Sequence, residues 1–90
     1  MINLNNIEKI IEGYEKKITE QFKGLAPEVR AIYVHALSIL EGDMDKLIEC
    51  EKIAGKLSGY VSPKATARYT LAIADEMRNQ LYIDDNIKAF

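Results

Sequence analysis

Residues 27–50 read PEVRAIYVHALSILEGDMDKLIEC, and the spacing of their apolar positions decides the fold class. Val29, Ile32, Tyr33, Ala36, Leu37 and Leu40 fall at i, i+3, i+4, i+7, i+8 and i+11. That is one stripe of a 3.6-residue period, the mark of a helix with one buried side. Pro27 suits the first helical position, since its φ is preset and its missing N–H has no intrahelical partner to lose. Gly42 stops this helix. Asp43 follows as an N-cap for another helix, about Met44 to Leu57, with Leu47, Cys50, Ile53, Ala54 and Leu57 turned inward.

Upstream, the same period predicts a helix from about Leu4 to Lys23, with Ile7, Ile10, Ile11, Tyr14, Ile18 and Phe22 on its apolar side. Asn3, Asn5 and Asn6 are its candidate caps, and Gly24 ends it. Glu12 and Lys16, one turn apart, are placed to pair on the wet side. Gly13 in mid-helix costs about 1 kcal/mol relative to Ala, which points to a neighbouring backbone close by. Downstream, Gly59 closes the third helix and Ser62-Pro63 opens a fourth, a cap followed by proline in the first turn. Tyr69, Ile73, Met77 and Leu81 form its predicted core side. Asp84-Asp85-Asn86 either ends this helix, caps a last short turn or lies on its surface; Ile83, Ile87 and Phe90 have the spacing to dock. The expected architecture is all-α: residues 1–90 as one compact, bundle-like domain of four helices, with room for a short fifth helix at the C-terminus. Connections of two to six residues make neighbouring helices antiparallel.

Composition bounds the function. Ninety residues, 48% hydrophobic, form one domain around one core. A chain of this size buries only about 60–65% of its unfolded surface, so self-association is a natural way to gain stability. Charged residues amount to 29% with a net charge of −2 and a pI near 5.4. That balance argues against a whole surface built for polyanions. One cysteine leaves no internal disulfide and suits a reducing compartment. The start MINLNN lacks the basic and apolar regions of a secretory signal, and no apolar run approaches the roughly 18–20 residues of a membrane span. A cytoplasmic protein that does not engage membranes is expected.

Candidate chemistry is sparse. His35 is the sole histidine and has no second imidazole or CxxC to form a metal or catalytic set. The string Tyr33-Val34-His35-Ala36-Leu37 is similar to the phosphotransfer histidine of a four-helix bundle. Ala-Leu-Ser-Ile follows it, however, where that histidine is followed by Lys-Gly. A histidine at the edge of the apolar stripe is the simpler expectation. Cys50 is expected in the core, where thiols are commonly buried. Glu41, Asp43 and Asp45 cluster at a helix start, where carboxylates favour the macrodipole; a calcium loop needs more oxygen ligands in alternation. No enzyme activity and no cofactor are expected.

Two features stand above background. The segment 53–71, IAGKLSGYVSPKATARYTL, resembles a helix-turn-helix, with alanine before the turn, Gly59 in it and Thr66 and Arg68 on the helix behind it. It carries two more residues between Leu57 and Ser62 than the tight turn of that motif. From Lys52 to Ala74 there are four basic residues (Lys52, Lys56, Lys64, Arg68) and no acidic one. The second feature is an outer side of the fourth helix, where Ala67 and Leu71 lie among Lys64, Arg68, Asp75 and Arg78; Val34 is similarly off the stripe of its helix. An apolar patch with a charged rim is how a helix meets a protein partner. Lys64, Ala67, Arg68, Leu71, Asp75 and Arg78 are therefore the predicted contact residues. The expected function is non-enzymatic binding of another protein or a second copy, as an adaptor, inhibitor, immunity factor or regulatory subunit. In size, pI and lack of catalytic groups the chain resembles small bacterial and phage regulators, bacteriocin immunity bundles among them, a likeness of class with no family motif. The alternative is a nucleic-acid-binding regulator that uses segment 53–71.

Overall fold

The computed structural model describes residues 4–88, with side chains described for residues 5–80. Its helices are α1 (Leu4–Gln21), α2 (Pro27–Ile39), α3 (Met44–Ser58) and α4 (Pro63–Lys88). No strand occurs among the described residues. The punctuation acts as the residue types dictate. The Asp43 carboxylate accepts the Lys46 amide at 3.2 Å, and the Ser62 hydroxyl accepts the Ala65 amide at 3.1 Å. Gly59 ends α3 in the left-handed conformation at φ 67°, a C-cap geometry that costs glycine nothing. α4 continues unbroken through Asp84-Asp85-Asn86 to Lys88, so there is no fifth helix among the described residues. The expected positions of Leu81, Ile83, Ile87 and Phe90 lie outside the described side chains.

The helices do not close into a four-helix bundle. α4 packs against both α2 and α3, which touch each other only slightly, and α1 lies chiefly against α2. The principal contacts thus run as a row in the order α1, α2, α4, α3, with overall extents of 46 × 37 × 18 Å. An apolar stripe at the edge of such a row has no helix opposite it.

The core comprises Ile18, Val29, Tyr33, Ala36, Leu37, Leu40, Leu47, Cys50, Ala67 and Ala74. Phe22 stacks on Tyr33 with centroids 4.7 Å apart and planes 14° from parallel, tying the end of α1 to α2. α4 contributes small side chains to the centre: Thr66, Ala67, Thr70 and Ala74 are all buried. Small residues allow the close approach required of a helix held between two others. Their hydroxyls are satisfied locally, Thr70 donating to the Thr66 carbonyl at 2.7 Å and the Ser58 and Thr66 hydroxyls lying 3.2 Å apart across α3 and α4.

Several expected positions are corrected by this arrangement. Ala67 is fully buried, not outward, because the close approach of α2 and α3 selects the small-residue side of α4. The rotation sends Tyr69 to the surface, while Leu71, Ile73 and Met77 are partly buried against the core. Ile53 and Leu57 of α3, expected inward, are exposed. Gly13 has no neighbour within 4 Å of where a Cβ would sit, so no close backbone explains it. Glu12 and Lys16 do not pair; the ion pair among the described residues is Lys64 with Glu28. Cys50 is in the core as expected.

Candidate functional site

α1 is held at its C-terminal half by Tyr14, Ile18 and Phe22, which pack on the core. Tyr14 also reaches the α2–α3 corner, where a Cβ on Gly42 would stand 3.0 Å from its ring. The N-terminal half has no such support. Every residue from 5 to 13 is exposed, including Ile7 at 39%, Ile10 at 52% and Ile11 at 43%. These three, with Tyr14, form one wall of a groove of about 410 Å³; Ala31, Val34, His35 and Ser38 of α2 form the other.

His35 has a second role in the geometry. It also lines a groove of about 320 Å³ between α2 and α4, together with Ile39, Arg68, Leu71, Ala72 and Asp75. Ile39 in turn borders a smaller groove with Leu40, Glu41, Lys46, Met77 and Arg78. Shared walls make these three depressions one surface, running from α1 across the outer side of α2 to α4. The structure thus brings Arg68, Leu71 and Asp75 together, and adds Arg78 through Ile39. Lys64 lies at the start of α4, its ammonium 3.6 Å from the Glu28 carboxylate. Ala67, buried beneath, cannot touch a partner.

The chemistry available is desolvation with a polar frame. Fully burying an isoleucine contributes about 1.5–3 kcal/mol, so covering the exposed halves of Ile7, Ile10 and Ile11 contributes about 1 kcal/mol each. Arg68, Asp75 and Arg78 supply charges of both signs at the α4 side. Among the described residues no group of three or more His, Cys, Asp or Glu is placed to hold a metal ion. The Cys50 thiol is pushed above its ordinary pKa by burial, with Glu49 adding to the shift, which disfavours the reactive thiolate. In segment 53–71 the two polar positions of the motif separate: Thr66 is buried against Ser58, and Arg68 is exposed.

Sequence reasoning missed the α1 half of this surface. Ile7, Ile10 and Ile11 have the spacing of core residues, and nothing in the sequence marks them as lacking a partner helix. No family model matches the chain, and neither the curated proteins nor the solved structures contain a match to it.

Proposed function

We propose that this chain is a non-enzymatic binding protein, a small regulator or adaptor that engages another protein through the α1–α2–α4 surface. The observation that carries this function is the stripe of Ile7, Ile10 and Ile11, exposed along a groove whose other wall is built by Val34 and Ala31. The solvent-facing halves of these three isoleucines add nothing to the stability of a lone domain, whereas a partner side chain or helix seated in the groove would cover them. The groove between α2 and α4 extends the contact, with Arg68 and Asp75 fixing register by charge at its rim. A second copy is one form such a partner can take.

The test uses an Ile10→Asp variant and an Asp75→Lys variant, both at exposed positions, beside the wild type. Affinity capture from the source cells is combined with sedimentation of the purified chains. A captured protein, or a dimer mass, that is present for the wild type and lost with Ile10→Asp supports the function, provided circular dichroism shows the variant folded. A monomeric wild type that captures nothing, or a partner retained equally by both variants, rejects it.

A further inference from the structure

The turn between α3 and α4 carries a different surface, at the end of the hairpin formed by those helices. Leu57 is 64% exposed, Tyr60 62% and Val61 84%. Of these three large apolar side chains, Tyr60 also lines a groove of about 300 Å³ with Phe22, Leu25, Tyr33 and Glu51. The tip is held firmly. Gly59 and Tyr60 both have positive φ, at 67° and 55°, the Tyr60 amide bonds the Gly55 carbonyl at 3.0 Å, and its ring rests on Gly55 so closely that a Cβ there would overlap it.

Cations outnumber carboxylates around this tip: four basic side chains stand against Glu28, which pairs with Lys64, and Glu51, which shares a groove with Tyr60. Lys56 stands beside it on α3 and Lys64 on α4, with Lys52 and Arg68 a turn further back on each arm. All four are exposed, and no acidic residue occurs from Lys52 to Ala74. One helical turn is about 5.4 Å, inside the Debye length of about 8 Å at physiological salt. The Lys64–Glu28 pair is solvent-exposed and competes weakly for that ammonium.

We propose that this tip docks on an anionic lipid surface, with Leu57, Tyr60 and Val61 entering the interface and the flanking cations meeting headgroup phosphates. An interface of this kind accepts aliphatic groups and lysines together. Nucleic acid fits the tip less well: Leu57 and Val61 offer no stacking face, and Gly55 covers one side of the Tyr60 ring. Membrane contact is not expected from the core spacing of Leu57; its exposure changes that. No helix among the described residues is long and apolar enough to cross a membrane, so the contact is peripheral. It shares Arg68 with the α1–α2–α4 surface, and the variants that test it leave Arg68 in place.

The chain has no tryptophan, so Val61→Trp places a single reporter at the tip. The full chain is mixed with phosphatidylcholine vesicles, with and without phosphatidylglycerol, and binding is read by co-sedimentation and by tryptophan emission. Binding should require the anionic lipid, fall as salt rises and shift the emission to the blue. Lys56→Gln and Lys64→Gln should each weaken it roughly fivefold, and Val61→Asp by about tenfold or more. Circular dichroism confirms that each variant is folded. Absence of binding, equal binding to phosphatidylcholine alone, unshifted emission in the bound state, or a Val61→Asp variant that binds like the wild type would each overturn the proposal. So would binding to a single-stranded oligonucleotide, without vesicle binding, that depends on the lysines and ignores Val61→Asp.

Discussion

Replacing Gly13 with Ala should stabilise the protein. Gly13 lies inside α1 with helical neighbours on both sides, and nothing stands within 4 Å of the added methyl group. The steric cost is therefore negligible, and the gain is the difference in helix propensity, about 0.8–1.0 kcal/mol. Part of that gain is lost if the unsupported half of α1 frays independently, which leaves a net effect of about 0.5–1 kcal/mol. In a domain of this size 1 kcal/mol moves Tm by about 4–8 °C, so the melting temperature should rise by about 2–8 °C. Thermal melts followed by far-UV circular dichroism measure this directly. Gly55→Ala is the internal control: the same propensity gain is opposed by overlap with the Tyr60 ring, so its Tm should rise less or fall. An unchanged or lowered Tm for Gly13→Ala refutes the reasoning. Either α1 is not helical around Gly13 in solution, or another surface occupies the space beside it.

Two further outcomes follow from burial. Leu37→Ala should cost about 2–5 kcal/mol in urea unfolding because the side chain is fully buried, whereas Ile53→Ala, at an exposed position, should cost less than about 1 kcal/mol; equal losses would mean that α3 is rotated. Burial raises the Tyr33 phenol above its ordinary pKa, Glu51 adds to the shift and a Thr70 hydrogen bond opposes it. The fold thus favours the neutral phenol, so this contribution to stability is complete below about pH 10 and is lost as pH rises through the folded pKa. Absorbance titration should show one of the five tyrosines ionising late and together with loss of helix; five simultaneous titrations in the native state would contradict the burial.

The helices themselves were legible because their punctuation is chemical: Pro27, Asp43, Gly59 and Ser62-Pro63 each act locally, whatever packs nearby. The α2 stripe was legible too, since α2 has neighbours along most of its length and its template is complete. α4 was misphased for a physical reason. Hydrophobicity ranks Tyr69, Ile73 and Met77 above Thr66, Ala67 and Thr70, but a helix wedged between two others needs small side chains at the contact. Periodicity also shows which side of a helix is apolar without showing whether another helix reaches it. That is why Ile7, Ile10, Ile11, Ile53 and Leu57 read as core. The clustering of Arg68, Leu71 and Asp75 was visible on α4 alone; His35, which joins their groove to that of α1, required the tertiary arrangement.

The position of α4 between α2 and α3 has a consequence for how the chain reaches its native state. Helices that adjoin in sequence usually pair as they emerge from the ribosome, but here α2 and α3 share little contact and meet mainly through a segment synthesised after both. α4 is thus the element that joins the buried sides of α2 and α3, Leu37 on one and Leu47 and Cys50 on the other. A truncated chain lacking Pro63–Lys88 would lose the helix through which α2 and α3 are chiefly joined, leaving α1 on α2 and α3 with little to pack against.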